Sequence, residues 1–206
     1  MNYKLSIIFA ALSCLPVAAQ KRAFTIRDIY RVRTAYGPVV SKSGKMAYTL
    51  SRSDLAKQSS TSDIYDDSGK ALTNDSVSYE PQWSADGKWL YYTSAKSGLP
   101  QVWRTDGNGS KEQLTDYKLG VSGPVVSPDG RYIAFAAEVD PSLNDPDGQL
   151  NQEARLAKKK NPIQAHIADK LLYRHWTEYS DGRYWHIIVY DTKDKTYRDV
   201  TPGQFH

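Results

Sequence analysis

The sequence has very little cysteine and no charge of one sign in excess. Its 206 residues include one Cys and two Met, and 27 Lys and Arg stand against 23 Asp and Glu, a formal net charge of +4. A single thiol rules out a disulfide framework and a zinc site built on cysteines. So small a positive excess gives no reason to expect nucleic acid as a partner.

Long hydrophobic runs are also missing beyond the first 20 residues, so we expect no membrane span in the mature protein. What the sequence does have is aromatic residues, with 15 Tyr and 5 Trp. Hydrophobic residues make up 40% and charged residues 24% of the chain, which is typical of a globular protein. The high aromatic content together with few methionines favours an all-β fold.

Residues 1–19 have the pattern of a secretory signal peptide. Lys4 supplies the positive charge, residues 5–15 form the apolar core, and Val17-Ala18-Ala19 places small residues at a cleavage site. This apolar core is too short to span ~30 Å of hydrocarbon at ~1.5 Å per residue. We therefore expect cleavage and an exported protein, periplasmic or extracellular, with lipidation of Cys14 as the minor alternative.

An eight-residue motif recurs three times. Its serines, Ser41, Ser84 and Ser127, are 43 residues apart, and each motif continues into an apolar and aromatic stretch. The Asp-Gly pair in the second and third copies suits the positive φ of a tight hairpin turn. The Pro that opens each motif predicts a strand entry, where a missing N–H is harmless.

Each repeat has a second landmark, a short strand followed by an apolar-Thr pair. These strands are predicted at 64–65, 102–103 and 189–190. Four short strands in ~43 residues are typical of one blade of a β-propeller. We predict an all-β fold in which residues 38–206 form a partial propeller of about three four-stranded blades. The alternative is an antiparallel sandwich with accidental turn spacing, which the identical intervals disfavour.

Two segments depart from the repeat. Residues 20–37 form a lead-in, in which Thr25 can cap a short helix. The third repeat is about 43 residues longer than the others, and the excess is predicted between about 140 and 184. Residues 150–160 are rich in helix formers, and Asn161-Pro162 can start a second helix with Ile163, Ile167 and Leu171 on one face. The sequence therefore predicts a helical insertion in blade three.

Three stretches resemble the prolyl-oligopeptidase family of serine peptidases. Residues 24–30 resemble the start of that family, and residues 170–176 and 181–191 are similar to its dipeptidyl-peptidase-V and acylaminoacyl-peptidase branch. The resemblance covers about residues 22–203. It implies an N-terminal β-propeller joined to a C-terminal α/β-hydrolase domain, which carries a Gly-x-Ser-x-Gly nucleophile followed by Asp and His.

This chain contains no such nucleophile motif. The nearest string, residues 120–124, lacks the last glycine and runs into a predicted strand. We therefore expect no catalytic residue here and a hydrolase domain outside this chain. The resemblance implies an exopeptidase propeller that gates access and shapes the pocket for the substrate's N-terminus, with its own hydrolase domain and a peptide substrate as partners. The alternative is a non-catalytic periplasmic binding propeller that resembles the one of the Tol system.

The resemblance also singles out three candidate substrate-binding residues. An enzyme that releases dipeptides must hold an ammonium group, and a carboxylate from the propeller, here Glu138, is the candidate. Arg174 is expected to bind a substrate carbonyl or a carboxylate of the hydrolase domain, and Trp176 is expected to form one side of the pocket. The alternatives are a solvated Glu138 and packing of 174–176 on their own blade. The four histidines lack metal-ligand spacing, so neither a metal nor a cofactor is expected.

Overall fold

A computed structural model describes residues 22–165, 174–179 and 181–204. The predicted leader, 1–19, lies outside this part of the chain. The described residues contain two helices and thirteen strands. In chain order they are α1 (Ile26–Ile29), β1 (Arg33–Val40), β2 (Met46–Asp54), β3 (Ser59–Asp66), β4 (Ser78–Trp83), β5 (Leu90–Ser94), β6 (Gln101–Thr105), β7 (Lys111–Gln113), β8 (Ser122–Val126), β9 (Tyr132–Val139), α2 (Gln149–Lys160), β10 (Arg174–His175), β11 (Glu178–Tyr179), β12 (Tyr184–Asp191) and β13 (Thr196–Asp199).

The strands form three successive antiparallel sheets and one small hairpin. The sheets have the orders β1-β2-β3, β4-β5-β6-β7 and β8-β9-β12-β13, and the hairpin is β10-β11. The first strand of the second sheet, β4, contacts all three strands of the first sheet, and β8 contacts β4 in turn. The predicted fold class is confirmed: the chain is an open arc of three propeller blades, with a helical insertion in the third.

The motif serine closes the same turn in each blade. In blade two the Ser84 amide donates to the Trp89 carbonyl at 2.8 Å, and the Ser84 hydroxyl accepts from the Trp89 amide at 2.9 Å. Ser127 and Tyr132 make the same pair of bonds in blade three, also at 2.8 and 2.9 Å. The 43-residue spacing is thus the repetition of one hydrogen-bonded turn.

Blade one makes this turn without the aspartate. In blade two the Ser84 hydroxyl donates to Asp86 at 2.5 Å, whereas in blade one the hydroxyls of Ser41 and Ser43 lie 3.0 Å apart. Gly44 follows with φ +84°, a conformation that glycine adopts at no steric cost. Backbone geometry and one serine hydroxyl therefore suffice for the turn.

The motif prolines lie inside the first strand of each blade, and the predicted strand entry is corrected accordingly. Each of β1, β4 and β8 has a shift in its pairing register at the proline. The residue before the proline has a positive φ, +59° at Gly37, +53° at Glu80 and +56° at Gly123. A bulge leaves one residue unpaired, so the missing N–H of proline costs the ladder no bond.

The threonine of the second landmark binds across to the third strand of its blade. The Val102 amide donates to Thr115 Oγ1 at 2.9 Å, and the Ile187 amide donates to Thr201 Oγ1 at 2.8 Å. Ile187 is therefore the equivalent of Val102, whereas the sequence alignment had placed Val189 there, two residues away. β12 has apolar residues on both faces, so its sequence lacks the alternation of apolar and polar residues that indicates the register of a strand.

Aromatic side chains fill the space between blades two and three. The ring centroid of Tyr117 lies 5.1 Å from that of Phe135 and 5.2 Å from that of Tyr197. The ring centroids of Tyr190 and Tyr197 are 4.6 Å apart. Burial raises the pKa of the Tyr197 phenol to about 12. A second buried cluster, between blades one and two, consists of Ala47, Ile64, Leu90 and Tyr92.

The two helices lie outside the blades. Helix α1 begins after Thr25, whose amide and hydroxyl both donate to Asp28 at 2.8 Å. Helix α2 ends at Asn161, whose extended conformation suits a residue that precedes proline. Residues 161–165 form no helix, which corrects the predicted second helix from Pro162; Ile167 and Leu171 of its predicted face lie outside the described residues. Neither described helix is long and apolar enough to span a membrane.

Candidate functional site

Glu138 lies at the base of the insertion, close to the end of β9. Its Oε2 accepts a hydrogen bond from Arg155 Nη2 at 2.9 Å and is 3.1 Å from Arg183 Nη1. Arg155 belongs to α2, and Arg183 lies just before β12. One carboxylate thus joins the strand that enters the insertion, the helix within it and the segment that leaves it.

Asp181 extends these contacts into a cluster of five charged side chains. Its carboxylate lies 2.7 Å from Arg183 Nη2 and 3.7 Å from Lys158 Nζ. Burial opposes ionisation of Asp181, but the hydrogen bond and charge of Arg183 and the charge of Lys158 hold its pKa below the usual value. Desolvation and the like charge of Arg183 lower the pKa of the Arg155 guanidinium, against the attraction of Glu138.

This ion-pair cluster holds three cations and two carboxylates, and it bears directly on the predicted role of Glu138. The Glu138 carboxylate already forms ion pairs with two guanidinium groups, so a substrate ammonium would have to share it with Arg155 and Arg183. The role of Glu138 in binding an ammonium group stays a prediction. What the structure establishes is its place as a link between β9 and the insertion.

The start of α2 is hydrogen-bonded to, and closely packed against, the segment that connects blades two and three. The Lys118 carbonyl accepts from Gln152 Nε2 at 2.9 Å. Gly148, the residue before α2, has φ +82°, and a Cβ there would lie 3.2 Å from Tyr117 Cζ and 3.2 Å from Leu119 Cγ. A glycine is required at this position for both its backbone conformation and its close packing.

Arg174 and Trp176 lie together in the β10-β11 hairpin. Arg174 Nε donates to the Trp176 carbonyl at 2.8 Å, and the Arg174 guanidinium lies 5.5 Å from the centroid of the Tyr179 ring. Trp176 is in the turn with φ +53°, and 86% of its surface is exposed. Trp, Tyr and Arg are the residue types that contribute most to binding surfaces. The structure therefore brings two of the three predicted residues together in one exposed hairpin and places Glu138 in the ion-pair cluster.

A cavity of about 470 Å³ lies beside the insertion. It is bounded by the loop 140–146, by the aromatic residues Tyr117 and Tyr197, and by the buried His186 with its partly exposed partner Asp199. Among the described residues, no group of three or more His, Cys, Asp and Glu side chains is placed to hold a metal ion.

The ion-pair cluster around Glu138 was not predicted from the sequence. From the sequence, no role is assigned to Arg155, Lys158, Asp181 or Arg183 as individual side chains. The one local signal is the i,i+3 spacing of Arg155 and Lys158, which places both on one face of α2. Their carboxylate partners lie in other segments, so only the fold brings the charges together.

The comparisons with known proteins agree with this architecture. The uncharacterized peptidase YuxL of Bacillus subtilis is 34% identical over 125 residues, which covers 55% of this chain and 19% of that protein. The acylaminoacyl peptidase of Pyrococcus horikoshii has a similar fold, with a TM-score of 0.63 and 15% identity over 89% of this chain and 27% of its own. The resemblance to peptidase propellers is thereby confirmed. No family model matches the chain.

A shorter match is to a protein of the Tol-Pal system. The Tol-Pal system protein TolB of Francisella tularensis subsp. tularensis is 39% identical over 57 residues, which covers 27% of this chain and 13% of that protein. The chain spans only about a fifth of the length of the first curated relatives it matches, 20% of the uncharacterized protein Atu1656 of Agrobacterium fabrum and 19% of the YuxL peptidase.

Proposed function

We propose that this chain is the propeller segment of an exported serine exopeptidase, in which the insertion on blade three gates access and contacts the N-terminal part of a peptide substrate. The hydrolase domain that supplies the Ser-Asp-His triad would be its partner. The leader pattern of residues 1–19 supports export. The sequence similarity to a peptidase and the fold shared with acylaminoacyl peptidase support the enzyme class.

The observation that carries the proposal is the way the insertion is built. The ion-pair cluster around Glu138 and the close packing at Gly148 hold its base on the blades, and its hairpin exposes Arg174 and Trp176. A rigid base with an exposed aromatic and cationic tip is suited to contacting an extended peptide. The guanidinium can donate to a substrate carbonyl, and the indole can cover its side chain.

The test uses the full-length polypeptide that contains this chain, with dipeptidyl and acyl-aminoacyl chromogenic substrates. Trp176→Ala and Arg174→Ala are expected to lower kcat/KM by about 10-fold or more each, because a contact of this type contributes about 1.5–3 kcal/mol. Leu156→Ala, at an exposed apolar residue of α2, is the matched control and is expected to leave kcat/KM unchanged. Equal kcat/KM in all three variants and in wild type would refute the assignment.

Glu138 needs an experiment that separates ammonium binding from support of the insertion. Glu138→Gln and Arg155→Gln both break the same ion pair, but only the first removes the carboxylate. If Glu138 binds the substrate ammonium, Glu138→Gln loses kcat/KM on free N-termini and far less on blocked ones, while Arg155→Gln affects both substrates alike. An equal loss on both substrates in both variants would assign Glu138 to support alone.

The similarity to TolB favours one second candidate, a non-catalytic binding propeller that acts through protein contacts. The two candidates differ in the longer polypeptide: only the first predicts turnover that a serine-directed inhibitor blocks. Residues 20–206 alone carry no nucleophile motif and are expected to be inactive in the same assay. Inhibitor-sensitive turnover by this segment would contradict both candidates.

A further inference from the structure

The third strand of every blade carries a buried polar side chain at one equivalent position. The three residues are Asp63, Gln101 and His186, and 5%, 3% and 1% of their surfaces are exposed. Each directly precedes the residue whose amide donates to the threonine of its blade. Among these three side chains, only the imidazole ordinarily changes its charge near neutral pH.

In blade two this position forms a neutral latch on the segment that leaves the blade. Gln101 Nε2 donates to the Tyr117 carbonyl at 2.8 Å, and Gln101 Oε1 accepts from the Thr115 hydroxyl at 2.7 Å. Tyr117 lies two residues after that threonine, on the connector to blade three. An uncharged amide, which both donates and accepts, is sufficient here.

In blade three the same latch is built from an imidazole and a carboxylate. His186 Nε2 lies 2.8 Å from the carbonyl oxygen of Gly203, which is two residues after Thr201, and His186 Nδ1 lies 2.6 Å from Asp199 Oδ2. A carbonyl and a carboxylate can only accept hydrogen bonds, so both ring nitrogens must donate. The ring that makes both bonds carries two protons and a positive charge.

The groups that face His186 come from three directions. Asp199 on β13 is its direct partner, and the ionisable side chains that line the same cavity are Tyr197 and Arg198 from β13, Asp140 and Asp145 from the loop after β9, and Tyr117 from the connector between blades two and three. The three carboxylates outnumber the one arginine, so the surroundings attract a positive ring.

We propose that His186, Asp199 and Gly203 form a pH-operated latch on residues 199–203, the segment that leaves blade three. With both ring nitrogens protonated, the latch holds this segment against β12. Loss of one ring proton to solvent turns that nitrogen into an acceptor that faces an acceptor oxygen, of Gly203 or of Asp199, so one bond is lost and two acceptors oppose each other. The latch is therefore closed at lower pH and loosens as the pH rises.

Amide hydrogen exchange of the full chain tests the latch at single residues. The Ile187 amide of β12 donates to Thr201 in the latched segment, and the Val200 amide of that segment donates back to the Ile187 carbonyl. The Val102 and Leu114 amides make the equivalent bonds in blade two, beside the neutral latch. When protection factors are measured at several values between about pH 5 and about pH 8, we expect those at Ile187 and Val200 to fall about 10-fold as the pH rises. Those at Val102 and Leu114 are expected to stay constant.

The matched variant is His186→Gln combined with Asp199→Asn, which gives blade three two amides and no titrating group at the latch. Its four protection factors are expected to be independent of pH, because it reproduces the chemistry of Gln101. His186→Gln alone provides a second variant if the double substitution perturbs folding. Constant protection at Ile187 and Val200 in wild type, an equal fall at all four amides, or the same fall in the variants would overturn the proposal.

Discussion

At the scale of single residues, hydrogen-bond partners decide which buried threonines stabilise the blades. Thr115 and Thr49 are both buried, with 1% and 0% of their surfaces exposed. The Thr115 hydroxyl accepts from the Val102 amide and donates to Gln101, whereas the buried Thr49 hydroxyl has no hydrogen-bond partner among the described residues. We therefore expect the two hydroxyls to contribute to the free energy of unfolding with opposite signs.

The corresponding prediction compares two isosteric substitutions. Thr115→Val is expected to lower the free energy of unfolding by about 1–3 kcal/mol, because it leaves the Val102 amide without an acceptor. Thr49→Val is expected to be neutral or stabilising, because it removes a polar group that has no partner. Urea unfolding of both variants beside wild type provides the measurement, and an equal loss in the two would show that the partner makes no difference.

Asp181 makes the attachment of the insertion sensitive to acid. Because its folded-state pKa lies below the usual value, its ion pairs stabilise the fold at neutral pH, and this contribution is lost as the pH falls from about 4 toward the lower folded value. We expect wild type to lose on the order of 1 kcal/mol more stability than Asp181→Asn between about pH 6 and 3. Asp67→Asn, at an exposed turn residue, is the control and should follow wild type.

At the scale of elements, the insertion depends on a single glycine where it meets the blades. Gly148 and Gly182 have nearly the same φ, +82° and +85°, but a Cβ would meet Tyr117 and Leu119 at the first position and no atom of the described residues within 4 Å at the second. The two positions thus separate the backbone strain of a positive φ from the strain of close packing.

Alanine substitutions at these two glycines make this difference measurable. Gly182→Ala is expected to cost only the strain of a left-handed alanine, about 1 kcal/mol. Gly148→Ala adds the overlap with two side chains and is expected to cost about 1–3 kcal/mol more, with early loss of α2 contacts. Thermal unfolding and proteolysis within the insertion measure both effects. Equal costs at the two positions would mean that α2 is not packed against the connector.

Features encoded within a few neighbouring residues could be predicted from the sequence, and features that depend on pairing with a distant strand could not. The turn around Ser84 and Ser127 is encoded within six residues, so its period is visible without a structure. The register of β12 is not, because Ile187 and Val189 are both apolar and only the bond to Thr201 distinguishes them. The prediction that the prolines mark strand entries was wrong for a similar reason. A missing N–H is tolerated both at a strand entry and at a bulge, and the paired strand determines which of the two forms.

The candidate site was accessible to sequence reasoning only in part. Arg174 and Trp176 are two residues apart, so their proximity follows from the sequence, whereas the hairpin that carries them was not predicted. The partners of Glu138 are Arg155 and Arg183, one on a helix and one beyond the hairpin, and no local pattern relates them to β9. Long-range ion pairs of this kind emerge only when the chain is folded.

At the scale of the whole molecule, an arc of three blades leaves apolar surface exposed on its end sheets. One face of blade three packs on blade two through Phe135 and Ile188, which are buried. The opposite face exposes 60% of Val125 and 59% of Trp185, and on blade one 66% of Val40 is exposed. Repeat architectures derive their stability from interfaces between neighbouring units, so each uncovered face lacks one stabilising interface.

The unfolding behaviour of residues 20–206 tests the open arc most directly. Thermal unfolding is followed by tryptophan fluorescence and by a hydrophobic dye at several protein concentrations. The account predicts a broad transition, dye binding below the transition, and a midpoint that changes with concentration as the exposed faces and strand edges associate. A sharp, concentration-independent transition of a monomer that binds no dye would contradict it, because three blades would then form a self-sufficient domain.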